Sequence, residues 1–310
     1  MTRTTVGVKT TAMWVFLGVF VLVLGSARSE AGTGGHVHAR QKSDHPPLTV
    51  VDRYVAIGDS YTAGAGIPPA AASGCFRSER NYPRRIAERL GSSAHLDFED
   101  VSCGGATTSN AEIPQTMFTM NQPQLWAVNA RTELVTVSLG VNDAGFASLF
   151  TQCPAVAGYD PAGAPCQKSF QTPMGDVLFA GVLAVRDRLT RVLDLVKSRA
   201  PRAQVMVIGY PQPVPERGTC AELPFAAGDY AYARQFFVAL DASMRAAARR
   251  SGVTYIDVMS ASRGHDICAG EAAWVQGAGV TGRSTAYHPF ANEQRAVAAM
   301  VLNALRGPVS

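Results

Sequence analysis

Tyr54-Val55-Ala56-Ile57-Gly58-Asp59-Ser60-Tyr61 joins an apolar run to a Gly-Asp-Ser turn. The run reads as a buried strand, and α/β enzymes gather their reactive groups just beyond the carboxyl ends of such strands. Ser60 is therefore the first candidate for chemistry. Similar apolar runs stand at 134 to 139 and 204 to 209, with a shorter one at 253 to 257. Between them lies helical periodicity. Asp176 is placed to cap a helix whose Val177, Leu178, Val182, Leu183, Val185, Leu189, Val192, Leu193 and Val196 form an apolar stripe. A second helix is expected over 229 to 250, and Ala296, Val297, Met300, Val301 and Leu305 give a terminal helix its apolar face. This alternation predicts a three-layer α/β/α fold around a central parallel sheet covered on both faces. The stretch 144 to 172 reads as a long loop, of the kind that shapes binding sites.

The chain has 310 residues, 47% hydrophobic and 17% charged, enough for a well-buried core. One catalytic domain is expected over 50–310. Arg3 and Lys9 precede the apolar stretch Ala12 to Leu24, and small residues follow at Gly25, Ala27, Ser29 and Ala31. That is the layout of a signal peptide over 1–27, with cleavage after Ala27 or Ala31. Its apolar stretch is shorter than the ~20 residues a membrane-spanning helix requires, so no stable membrane insertion is expected after cleavage. Removal of 1–27 leaves 26 basic against 24 acidic residues, a net charge of +2, which does not suggest a nucleic-acid partner. Residues 28–49 hold Gly32-Thr33-Gly34-Gly35, Pro46-Pro47, His36, His38 and His45. They read as a flexible leader that offers no scaffold for a metal.

Six cysteines stand at 75, 103, 153, 166, 220 and 268. An even number behind a signal argues for three disulfides made in an oxidising compartment, hence a secreted, extracellular protein. Fifteen connectivities are possible in principle. Sequential pairing, Cys75 with Cys103, Cys153 with Cys166 and Cys220 with Cys268, is expected, since each bridge then closes one excursion between strands. No two cysteines have the short spacing of a structural zinc site.

A serine hydroxyl is a weak nucleophile at neutral pH and needs an imidazole to take its proton. His288, followed by Pro289 just before the terminal helix, is the candidate base. Negative charge develops on a carbonyl oxygen under attack and calls for fixed donors. The amides of Ser60 and Gly105 and the side chain of Asn142 are candidates. Gly105, in Cys103-Gly104-Gly105-Ala106-Thr107, lets the backbone approach a ligand closely. Asn142 lies in Gly140-Val141-Asn142-Asp143, past the second apolar run. Taken singly, each of these is ordinary turn or helix-capping chemistry.

Together, in this order, the blocks Gly-Asp-Ser60-Tyr, Cys-Gly-Gly105-Ala, Gly-Val-Asn142-Asp and Tyr-His288-Pro resemble those of the GDSL, or SGNH, hydrolases. The resemblance covers roughly residues 52 to 305, and the six cysteines look like the secreted actinobacterial lipase and esterase branch with three sequential disulfides. It implies a flavodoxin-like sheet, a catalytic Ser60 and His288, an oxyanion hole of Ser60, Gly105 and Asn142, and no metal or organic cofactor. The expected partner is an ester substrate, a lipid or other acyl ester, and the expected state is a monomer. The family places an aspartate three residues before the histidine, where this chain has Thr285. As in some members of the similar branch, a backbone carbonyl at Thr285 is then expected to orient His288. Asp257 and Asp266 are rival carboxylates, while Asp59 and Asp143 are read as holding loop backbone. His265 is read as structural, and Arg245, Arg249 and Arg250 as a solvated helix face. Phe146, Leu149 and Phe150 suit either an acyl-binding wall or the core.

The function read from this set is a secreted serine lipase or carboxylesterase. Phospholipase A and carbohydrate acetylesterase activities would use the same dyad. A cell-surface binding protein without turnover is the reading from another class, prompted by the missing aspartate.

Overall fold

The apolar runs become strands in a computed structural model that describes residues 50–91, 95–116 and 120–307. The strands are β1 (Arg53–Gly58), β2 (Asp97–Asp100), β3 (Leu134–Ser138), the hairpin pair β4 (Gln171–Thr172) and β5 (Gly175–Asp176), β6 (Gln204–Ile208) and β7 (Thr254–Ile256). The expected signal segment 1–27 and the leader 28–49 fall outside the described residues. A parallel five-stranded sheet runs in the order β2-β1-β3-β6-β7. Counting only its own strands, this is the 2-1-3-4-5 order of doubly wound folds, whose crevice opens beyond the carboxyl ends of the two strands where the winding reverses. Those strands are β1 and β3, paired from Tyr54↔Leu134 to Gly58↔Ser138.

Period-two alternation sorts the strand residues onto two buried faces. Val55, Ile57, Val135, Val137, Val205 and Val207 pack with α5 (Val177–Arg199) and α6 (Asp229–Ser251) through Leu189, Leu193, Phe236 and Leu240. Tyr54, Ala56, Leu134, Met206, Ile208 and Ile256 pack with α2 (Tyr82–Leu90) and α8 (Ala291–Leu305) through Ile86, Val297, Val301 and Leu305. The result is the three-layer α/β/α arrangement expected. Asp176 does cap α5, accepting from Leu178 N at 2.9 Å and Phe179 N at 3.0 Å.

The edge strand β2, Asp-Phe-Glu-Asp, has no apolar run. It pairs in parallel with β1, Phe98 stacks on Tyr54 with centroids 5.2 Å apart, and the Arg53 guanidinium on β1 pairs with Asp97 and, at 2.8 Å, with Glu99. The stretch 144 to 172 is not the loop expected. It contains α3 (Phe146–Val156) and α4 (Pro165–Phe170). Phe146, Leu149, Phe150 and Cys153 are buried at helical spacing, a signal interrupted by Pro154. Cys153–Cys166 joins the two helices, Cys75–Cys103 joins the loops after β1 and β2, and Cys220–Cys268 joins those after β6 and β7. The pairing is the sequential one.

α8 is fastened to α2 and to α1 (Ser60–Ala63) by Gln294. Its Oε1 accepts from Tyr82 N at 2.7 Å, and its Nε2 donates to Tyr61 O at 3.0 Å and to Glu293 Oε2 at 2.7 Å. Glu293 is 3% exposed. Burial pushes its carboxyl up from 4.5 to about 8, and the Gln294 amide opposes that rise. The folded state therefore keeps a proton that the unfolded chain releases near pH 4.5. Stability carried by protonated Glu293 is complete below that pH and is lost as pH rises through about 8. Urea unfolding between pH 5 and pH 9 should show wild-type stability falling, with a shallower fall in Glu293→Gln. Equal slopes in the two proteins would contradict a buried, proton-holding Glu293.

Candidate active site

Gly58 ends β1 where the chain turns so sharply that a Cβ there would lie 2.0 Å from Thr62 Oγ1, so only glycine fits. Asp59 then caps the single turn of α1, accepting from Tyr61 N at 2.9 Å. Ser60 is the first residue of that turn and is 7% exposed. His288 approaches from the segment preceding α8, and its Nε2 stands 2.8 Å from Ser60 Oγ. The fold thus brings together two candidates 228 positions apart.

The orientation of His288 corrects one expectation. The Thr285 carbonyl does not face the ring, since it accepts the backbone N–H of His288 at 3.0 Å in a turn. Nδ1 instead lies 2.8 Å from the Ala286 carbonyl oxygen. Tyr287 between them has φ +62°, the left-handed region that side chains resist, and this folds the chain back so that the ring reaches residue 286. Several contacts hold that conformation. Tyr287 N donates to Gln276 O at 3.0 Å, Tyr61 Oη donates to Tyr287 O at 2.7 Å, and Tyr287 stacks on Phe150 with centroids 4.3 Å apart. Thr285 N donates to Ala65 O at 3.1 Å, which ties the same segment to the loop after α1.

Burial lowers the His288 pKa below 6.5, and the Ala286 carbonyl partly offsets the drop by stabilising the protonated ring. The imidazole is therefore neutral at pH 7. With Nδ1 carrying the proton toward Ala286, Nε2 is left as the acceptor facing the serine hydroxyl. The surroundings are aromatic, with Tyr61 5.3 Å and Phe146 5.5 Å from the ring, centroid to centroid.

The loops after β2 and β3 are tied to this corner. Cys103 N donates to Gly58 O at 3.0 Å, and Gly105 follows at φ +78°, where glycine is favoured. Asn142 Nδ2 donates one hydrogen to Ala106 O at 2.9 Å, which fixes the amide beside the Gly105 loop. Asp143 accepts from Thr108 N at 2.8 Å and Thr108 Oγ1 at 2.5 Å, so it braces the same two loops. Asp59 accepts from Tyr210 Oη at 2.5 Å, and Val141 N donates to that oxygen at 3.4 Å. Burial pushes the Asp59 carboxyl up to about 7 against the lowering effect of its Tyr210 and Tyr61 hydrogen bonds. The ends of β1, β2, β3 and β6 thus converge on Ser60.

The rival carboxylates lie in other contacts. Asp257 caps α7 (Val258–Ala261) and pairs with Arg245 at 3.0 Å, while Asp266 accepts from Cys268 N at 2.8 Å. Arg245 is half-buried, also pairs with Asp241 and lies 4.5 Å over the Tyr255 ring, while Arg249 and Arg250 are exposed. His265 stacks on Trp274 and bonds the Ala272 carbonyl, a packing role. Phe146, Leu149 and Phe150 are all buried, with Phe146 and Phe150 forming the inner wall behind His288 and Tyr287.

Sequence reasoning missed Ala286, Tyr287, Tyr61, Tyr210, Gln294 and Gln124, whose side chain closes the end of β1 by bonding both Gly58 N and Gly58 O. Tyr61, next to Ser60, carried a positional hint. The others depend on loop conformation or on contacts far along the chain.

The profile of the GDSL-like lipase/acylhydrolase family matches residues 56–293. Lipase 2 of Streptomyces coelicolor is 36% identical over 252 residues, which cover 79% of this chain and 81% of that protein. A lipase of Streptomyces rimosus is 31% identical over 268 residues, covering 83% and 88% respectively. Among solved structures, phospholipase A1 from Streptomyces albidoflavus NA297 matches with a TM-score of 0.68 at 30% identity, covering 82% of this chain and 99% of that one. The extracellular lipase of Streptomyces rimosus matches with 0.64 at 29% identity, covering 82% and 100%. With sequence, sheet order and the convergence of strand ends in agreement, the chain belongs to the GDSL lipase/acylhydrolase family of ester hydrolases.

Proposed function

We propose that this ester hydrolase is a secreted lipase or carboxylesterase that turns over through an acyl-enzyme on Ser60. The observation that carries the reading is the 2.8 Å separation of Ser60 Oγ and His288 Nε2, with Nε2 as the free acceptor. Oγ attacks the ester carbonyl as its proton passes to Nε2. The amides of Ser60 and Gly105 and the second Nδ2 hydrogen of Asn142 meet the oxyanion, and each such donor is worth about 3 kcal/mol of barrier. His288 then gives its proton to the departing alcohol, and water releases the acid by the same route in reverse. The Ala286 carbonyl fixes the tautomer, although it stabilises imidazolium less than a carboxylate does.

The aromatic wall beside His288 favours an acyl chain over a bare acetyl group, which ranks the lipid reading above a carbohydrate acetylesterase. The intact dyad argues against a binder without turnover. Secretion is supported by three disulfides and the signal-like N-terminal segment. Among the described residues no helix is long and apolar enough to cross a membrane.

Hydrolysis of p-nitrophenyl esters from acetyl to palmitoyl should vanish in Ser60→Ala. It should rise with chain length by up to about fourfold per methylene, the equivalent of ~0.8 kcal/mol, while each added methylene finds apolar surface to bury. A short-chain optimum would instead favour an esterase or deacetylase, and turnover surviving Ser60→Ala would overturn the mechanism. The acid limb of kcat/KM should lie below pH 6.5, because activity needs neutral His288 and burial lowers its pKa. A limb above that value would point to an unrecognised anionic partner. Thr285→Ala should retain activity within about threefold, since only backbone atoms of Thr285 act on the histidine segment, and a hundredfold loss in a folded variant would contradict this.

A further inference from the structure

At the amino-terminal ends of α2 and α8 lies a cavity of about 420 Å³, lined by Arg80, Arg283 and Arg295 together with Glu271, Asn292 and Phe290. Three guanidiniums thus face one carboxylate. No described acidic side chain lies within 4 Å of any of the three, and the neighbouring Glu79 is already engaged by Arg84 at 3.0 Å. The crowding extends to Arg85, whose pKa is lowered by partial burial first and then by the charges of Arg295 and Arg80, with Glu88 opposing. Folding has gathered three arginines here with Glu271 as the one acidic residue in the lining.

The arrangement is partly preorganised. The Arg283 guanidinium carbon lies over the Phe290 ring, 4.5 Å from its centroid, and this cation–π contact restrains the side chain. Arg85 Nε donates to the Arg80 carbonyl at 2.8 Å and holds the turn that carries Arg80. Phe290, the N-cap of α8, gives no side-chain cap, so the positive end of that helix dipole faces the same space. The three arginines come from separate segments: the turn before α2, the segment leading to His288, and α8 itself.

We infer that this cavity is a binding site for a phosphate group, taken from a phospholipid headgroup or from free phosphate. A tetrahedral anion with several oxygens engages guanidiniums arriving from three directions, whereas a planar carboxylate is satisfied by one fork. Occupancy would bridge α2, α8 and the histidine segment. Arg283 stands five residues before His288, and Ile67, which also lines the cavity, follows Gly66, whose backbone is packed against Thr285. The headgroup source rests on the ester-hydrolase reading, and the phosphate site itself does not.

The test compares wild type with Arg80→Gln/Arg295→Gln and with Arg283→Gln. Binding of inorganic phosphate is read by calorimetry and by thermal unfolding at constant ionic strength. Phosphate should bind wild type and raise its Tm, and the variants should bind at least about tenfold more weakly. No binding, or equal binding by all three proteins, overturns the proposal. Phosphatidylglycerol vesicles and p-nitrophenyl butyrate then separate the sources. A headgroup site predicts that kcat/KM falls about tenfold on phosphatidylglycerol and is unchanged on the butyrate. Lost phosphate binding with unchanged turnover of both assigns the site to free phosphate. Absence of butyrate turnover in wild type would count against the hydrolase reading alone, since phosphate binding is read independently.

Discussion

Ser60 and His288 are 228 residues apart, so their 2.8 Å contact lasts only while α1 and the segment before α8 are fixed on one another. Four contacts do this. Gln294 reaches Tyr61 O, the Tyr61 hydroxyl reaches Tyr287 O, Thr285 N reaches Ala65 O, and the Ser284 hydroxyl is shared between Ala65 O and Pro289 O. All involve backbone groups at or beside the reacting residues. Each is worth about 1 kcal/mol net, little singly, but leaving any of these buried groups unpaired would cost more than the bond returns. The sheet supplies the frame, because β1 and β3 diverge in winding and leave their carboxyl ends open to one another.

Most of this frame was legible in the sequence for a simple physical reason. Strands buried on both faces must be nearly continuous apolar runs, and Tyr54 to Ile57, Leu134 to Leu139 and Gln204 to Gly209 have few other uses. Ser60, Asn142 and His288 could be found because each sits where such a run ends or a helix begins. β2 was silent, because a four-residue edge strand with a single apolar side chain, Phe98, and acidic residues facing Arg53 shows no apolar run. α3 and α4 were silent because one turn of apolar spacing broken by a proline looks like a loop.

The carbonyl that orients His288 was misplaced by one residue, from Thr285 to Ala286, and no periodicity could have corrected it. The choice depends on Tyr287 adopting φ +62°, a conformation a sequence reader assigns to glycine or asparagine. Strain of that kind persists only where neighbours over-determine it. Here they are Gln276, Tyr61 and Phe150, drawn from three distant parts of the chain.

A neutral carbonyl behind the histidine changes the acid-base balance as well as the geometry. A carboxylate would stabilise the imidazolium and raise the pKa of the ring, whereas Ala286 O opposes the burial effect without cancelling it. The ring is therefore a weaker base, yet a larger fraction of it is in the acceptor form as pH falls toward 6. Asp59, the buried carboxyl group next to Ser60 in sequence, is pushed up to about 7 by burial, against the lowering effect of the hydrogen bonds its two oxygens accept from Tyr210 and Tyr61. A neutral carbonyl behind His288 thus adds no fixed negative charge of its own to the site. That arrangement gives up some stabilisation of the imidazolium, but it spares the neighbouring donors competition from a carboxylate for the developing charge.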